Sequence, residues 1–242
     1  MKVTPSTRRN FLHQTTVACG MAVPALAFAA QQKPAGQDKD KEKDKSKAGE
    51  EISPAEDLMR EHGVLNRILL IYDHHLGKLN ARETFDGAVL ASAADIVRRF
   101  VEDYHEKLEE DFLFPRFRKV GKLVSLVETL QTQHQAGRDL TAKIHELSAT
   151  ATLKYVSDTD KLADALRAFL HMYRPHEARE DTVLFPAFRS IVSEHEYDAL
   201  GEDFEKKEDE LFGEEGFFKV VDQVAQLEKR IGIYELSQFT PR

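Results

Sequence analysis

Apolar residues return at three- and four-residue spacing after "SPAE", as in Leu58, Leu65 and Leu69, which is the period of one face of an α-helix. Ser53 as N-cap, Pro54 at the first helical position and Glu56 at the third predict that this helix starts there, and it continues to about residue 79. "NARETFDG" breaks the pattern. A second helix is predicted over about 85–119, turned by the Gly121 region, and a third over about 122–149. "SATATLKYVSDTD" reads as a loop, after which Ser157 or Asp158 opens a fourth helix reaching about 192. Four long helices with short connections predict an all-α fold, an up-down-up-down four-helix bundle over 53–192. Ser193-x-x-Glu196 opens a further helix to about Phe212, "GEEG" stops it, and "FFKVVDQVAQLEKRIG" supplies a last short one. Residues 193–242 are thus expected to form a C-terminal helical extension, packed on the bundle or on a partner chain.

The N-terminal 52 residues carry a different pattern. Ser6-Thr7-Arg8-Arg9-Asn10-Phe11-Leu12 is followed by an apolar run to about Ala30, with Ala27-x-Ala29 as a small-residue cleavage site. The run is too short for a membrane span and reads as a removable signal over 1–29, resembling the twin-arginine type. A periplasmic protein with no membrane attachment after signal removal is the expectation. Residues 30–52, "AQQKPAGQDKDKEKDKSKAGEEI", have no apolar anchor in the charged run and read as a disordered charged linker.

Composition narrows the chemistry. The chain has 242 residues, 41% hydrophobic, enough for a substantial core, and its net charge of −8 argues against a nucleic-acid partner. Cys19 is the only cysteine and falls within the signal. Its removal would exclude disulfides, Cys-ligated zinc and iron–sulfur clusters.

The chemistry-bearing signal is a repeat. "HEKLEEDFLFPRF" (105–117) and "HEAREDTVLFPAF" (176–188) share the pattern H-E-x-x-E-(acid)-x-x-L-F-P-x-F. On a helix, residues four apart lie on one face, so His105 pairs with Glu109 and His176 with Glu180. The same stripes continue through Leu113 and Phe117, or Leu184 and Phe188, and therefore face a core. Ionisable groups there need compensation, which metal ions supply. His62 lies in a stripe with Leu58, Leu65 and Leu69, and His134 in one with Val127, Leu130 and Thr141, so each of the other two helices adds a histidine. Measured from the turn near residue 120, His105 and His134 lie roughly 21–23 Å along their helices, and the other pairs agree to about one turn. His62, His105, Glu109, His134, His176 and Glu180 can therefore meet in one layer. Four imidazoles and two carboxylates suit iron, manganese or zinc, with both glutamates bridging two cations that each take two histidines. Neither the repeated Glu-x-x-His of ferritin-like bundles nor the His-Glu-x-x-His of zinc proteases fits both copies.

At these residues the sequence resembles the hemerythrin-like family, the HHE cation-binding domain, over roughly 54–190. The resemblance implies a non-haem centre of two iron ions, with manganese or zinc as alternatives. His62, His105, His134 and His176 would be terminal ligands, with Glu109 and Glu180 as bridges. Glu106 and Glu177, adjacent to ligand histidines in both copies, read either as outer partners or occasional ligands of the centre or, at least as well, as helix-surface charges, and stay outside the metal set. The oxygen carriers of invertebrates use five histidines, and this pattern is closer to the bacterial members. His74, His75, His145, His171 and His195 read as surface or capping residues. Pro115 and Pro186 are expected to kink or end the ligand helices, and Phe114, Phe117, Phe185 and Phe188 to line the core. The function expected is binding of O2 or a similar small molecule such as NO, for carriage, storage or sensing. The alternative is a di-iron enzyme acting on peroxide, O2 or NO.

Overall fold

Ser53 accepts the Glu56 amide at 3.3 Å and Pro54 begins helix α1, Pro54–Asn80, as the capping signal predicts. This computed structural model describes residues 52–149 and 156–241. The signal, the linker to residue 51, Cys19 and part of the third connecting loop lie outside the described residues. Asp86 caps the second helix by accepting the Ala88 and Val89 amides at 3.1 and 3.3 Å. Helix α2 then runs over 87–120, and Gly121 ends it at φ +69°, a left-handed conformation that glycine adopts without steric cost. Helix α3 is Val124–Ala149 and helix α4 covers 156–188.

These four close into a ring in which α1 touches α2 and α4, and α3 touches α2 and α4. Directions follow from paired residues. Asp95, near the start of α2, meets His145, near the end of α3, while Arg118 at the end of α2 meets Gln131 at the start of α3. Asp160 at the start of α4 meets Arg82 just past α1, and Asp181 near its end meets His62. The bundle is up-down-up-down. No strand occurs among the described residues, and no helix there is long and apolar enough to cross a membrane.

Helices α2 and α4 are not uniform. Helix α2 is α-helical over Gly87–Ile96, widens to a π-helix over Val97–His105, tightens at Glu106–Leu108, widens again over Glu109–Leu113 and finishes α-helical over Phe114–Val120. Helix α4 repeats the end of that plan, with Val156–Arg179, a π turn at Glu180–Leu184, and Phe185–Phe188. The expectation that Pro115 and Pro186 could end these helices is corrected here. The amides of Phe114 and Phe185 bond back five residues, to the carbonyls of Glu109 and Glu180. A wider turn offsets the carbonyl four residues before each proline, with which its ring would collide in an α-helix. The ligand helices therefore continue past both prolines.

Ser193 accepts the Glu196 amide at 3.2 Å and opens helix α5, Glu194–Phe212, and helix α6 follows at Gly216–Ile231. Both pack on the bundle, against α1 and α2. Phe204 meets Phe112 at 5.5 Å between ring centres, and Phe212 meets Phe100 at 5.6 Å. Arg67 of α1 forms a two-pronged pair with Glu228 of α6, at 3.0 and 2.5 Å.

Candidate metal centre

Glu109 and Glu180 sit opposite each other in the middle of the bundle, both fully shielded from solvent. Their positions on α2 and α4 place them one helical turn beyond His105 and His176, and α1 and α3 bring in His62 and His134 from the other sides. His176 Nε2 lies 3.1 Å from Glu180 Oε1, His62 Nε2 3.4 Å from Glu180 Oε2, and His134 Nε2 3.3 Å from Glu109 Oε2. His105 Nε2 is 3.9 Å from Glu109 Oε2. All six residues named by the sequence thus share one layer. Their ligand atoms form two groups that meet at Glu180, one of His62, His105, Glu109 and Glu180, the other of His134, His176 and Glu180.

Each histidine is held by its other nitrogen. His62 Nδ1 donates to Asp181 at 2.7 Å, His105 Nδ1 to Glu61 at 2.8 Å, His134 Nδ1 to Glu110 at 3.1 Å and His176 Nδ1 to the amide oxygen of Gln133 at 2.9 Å. An imidazole whose N–H points outward presents a bare lone pair inward, the form that ligates a cation. The inner atoms bear this out. Nε2 of His105 and His134, and both oxygens of Glu109 and Glu180, are buried with no hydrogen-bond partner among the described residues. Unpaired buried carboxylates are costly, and cations between them would satisfy every one of these atoms. The residues present fit a pair of metal ions.

Without metal, burial and mutual charge push these groups apart. Burial raises Glu109, and the neighbouring Glu180 charge raises it further, well above the usual carboxylate range. Burial acts against ionised Glu180 too, but His176 and His62 outweigh it and hold that carboxyl low. Burial alone would lower His62, yet its bond to Asp181 and the nearby Glu180 charge lift it to about 10. Burial lowers His105 to about 3 and His134 to about 4.

A family model for the hemerythrin HHE cation-binding domain matches residues 53–188, and again 125–231. The chain belongs to that family. The second match starts 72 residues after the first, as the helix-pair duplication that separates His62 from His134 by the same interval would produce. Among similar proteins of this hemerythrin family are an uncharacterised protein of Mycobacterium bovis and uncharacterised proteins of two Mycobacterium tuberculosis strains. Each is 43% identical over 241 residues, covering 100% of this chain and 94% of the relative. No solved structure matches.

Several readings of single residues change. Glu106 and Glu177 are not surface charges; they are 1% and 3% exposed. Glu106 accepts from Tyr173 at 2.8 Å and pairs with Arg138 at 2.8 Å, while Glu177 accepts from Asn66 at 2.6 Å. Burial lifts both to about 8. His75 is not at the surface either; it is buried, and its Nδ1 donates to the Ile71 carbonyl at 2.8 Å. His171 and His195 are exposed, and His145 pairs with Asp95 away from the centre. Sequence reasoning passed over Glu61, Glu110, Gln133 and Asp181. A usable signal existed: 61 and 133 stand just before the α1 and α3 histidines, and 110 and 181 just after the two glutamates. Phe185 and Phe114 stack on His62 and His134 at 5.4 and 5.5 Å and close the layer on its apolar side.

Proposed function

We propose that this hemerythrin-family chain is a di-iron protein that binds O2 or a similar small molecule such as NO, for carriage, storage or sensing. The observation that carries this reading is the four-histidine, two-glutamate layer with every imidazole N–H turned outward. His62 and His105 would hold one ion, His134 and His176 the other, with Glu109 and Glu180 spanning both. Ferrous ions held this way supply an electron-rich place for a diatomic ligand. The protein's own contribution is to fix four imidazole tautomers, to exclude bulk water with Phe114, Phe117, Phe185 and Phe188, and to keep two carboxylates dry. The twin-arginine pattern at Arg8-Arg9 supports export to the periplasm, a route that carries folded proteins and would let metal enter beforehand.

The test is anaerobic reconstitution with ferrous iron, a metal count per chain, and absorption spectra on adding O2, NO or peroxide. Two irons per chain and a band that reverses when the gas is removed are expected. Two irons with steady consumption of the added ligand would move the assignment to a di-iron enzyme acting on peroxide, O2 or NO. One zinc and no oxygen-dependent band would overturn both.

A further inference from the structure

Glu61 and Gln133 occupy the same place in the duplicated pattern. Each precedes a candidate ligand histidine, of α1 or α3, and each accepts the Nδ1–H of the histidine on the following helix, His105 or His176. One is a carboxylate and the other a neutral amide. The second pair of outer partners differs as well. Asp181 backs His62 and forms no pair with a lysine or arginine among the described residues. Glu110 backs His134 but is also bonded to Arg138 at 2.7 Å and Lys107 at 2.5 Å, which offset its charge. Glu61 accepts on both oxygens, from His105 at 2.8 Å and Tyr104 at 2.9 Å, the bonding pattern of an ionised carboxylate. One half of the centre therefore has two carboxyl backing groups, and the other has an amide and a carboxylate bonded to two cationic side chains.

The inner geometry is unequal in the same sense. His62 and His105 converge with both glutamates, all four ligand atoms lying within 4.8 Å of one another, whereas His134 and His176 share Glu180 in a group of three and Glu109 is reached from that side by His134, at 3.3 Å. We propose that the two halves of the centre bind metal unequally, that the His62–His105 half takes the first cation, and that a carboxylate at Glu61 where the repeat has the amide of Gln133 is the main source of the difference. This rests on the two-metal reading above. A carboxylate accepting from an imidazole N–H strengthens the donor at the other nitrogen, an influence worth about ten- to a hundredfold in metal affinity. A glutamine at the same place fixes the ring without that gain. Glu61 and Gln133 are positioning residues, acting through the histidines rather than on the cation.

Two cations sharing Glu180 would repel even in a symmetrical centre, so a gap between two binding steps is not the test. The halves are isolated instead, with Zn2+ as a redox-inert probe followed by titration calorimetry. His176→Ala leaves the first half intact and His105→Ala leaves the second. The His176→Ala protein is expected to bind one zinc at least tenfold more tightly than the His105→Ala protein. Adding Glu61→Gln to the former should weaken binding about tenfold, and adding Gln133→Glu to the latter should strengthen it about tenfold. The gain with Gln133→Glu is the informative arm, because damage to folding cannot produce it. Equal affinities in the two single variants, or no gain with Gln133→Glu, would overturn the proposal. Failure of the unaltered protein to bind two ions would instead overturn the two-metal reading.

Discussion

Gly137 on α3 and Tyr173 on α4 face each other so closely that a methyl group on Gly137 would fall 2.0 Å from the phenolic oxygen. That oxygen donates to Glu106 at 2.8 Å, next to His105. The missing side chain is thus what lets a buried phenol reach a buried carboxyl. Gly137→Ala is expected to destabilise the protein by about 1–3 kcal/mol despite alanine's better helix propensity. Gly63→Ala, where nothing lies within 4 Å, is the control and should stabilise by roughly 0.5–1 kcal/mol. Chemical denaturation of the two variants checks the opposite signs.

The Glu109–Glu180 pair should be costly to the metal-free fold and necessary to the loaded one. The double variant Glu109→Gln, Glu180→Gln removes the buried Glu180 charge and the buried Glu109 carboxyl while keeping the side-chain shapes. Its metal-free melting temperature is expected to equal or exceed that of the metal-free parent. The parent should gain about 4 kcal/mol with metal at a thousandfold over its dissociation constant, and the variant should gain nothing. Thermal melts with and without a chelator separate the two effects.

The His62–Asp181 bond gives metal-free protein a pH signature. His62 rises from 6.5 to about 10 on folding, so the stabilisation it brings is complete below about pH 6.5 and is lost as pH rises through 10. Asp181→Asn should therefore lower the melting temperature of metal-free protein most near pH 6, with the gap from the parent narrowing toward pH 10. Metal would displace the His62 proton, so cation uptake at pH 7 should release protons and tighten as pH rises.

Phe204 is 1% exposed and meets Phe112 edge to face at 5.5 Å, joining α5 to α2. Phe204→Ala is expected to cost about 3–5 kcal/mol, as a large aromatic truncated within a packed core. Unfolding monitored by circular dichroism should show that loss in the whole transition, since α5 and α6 pack along α1 and α2.

The helices and the layer were legible because both rest on periodicity. His105 with Glu109, and His176 with Glu180, share faces by spacing alone, and a shared distance from the turns brings His62 and His134 level with them. Partners across the bundle carry no such spacing. Glu61 pairs with His105 from 44 positions away and Asp181 with His62 from 119 away, so spacing singles out neither. Glu106 and Glu177 misled for a related reason: in a ring of four helices the face one step round from the ligands is also enclosed, and Tyr173, Arg138 and Asn66 satisfy them there. Pro115 and Pro186 were read by the α-helical rule, which the π turns at Glu109 and Glu180 set aside.

Two of the four outer hydrogen bonds cross between the two repeats. His62, in the first, leans on Asp181 in the second, and His134, in the second, leans on Glu110 in the first. Each hairpin orients one of its own rings, His105 on Glu61 and His176 on Gln133, and borrows the support of the other ring from its neighbour. Prising the hairpins apart therefore frees one imidazole in each cage, and full occupancy by metal reports that the two have come together.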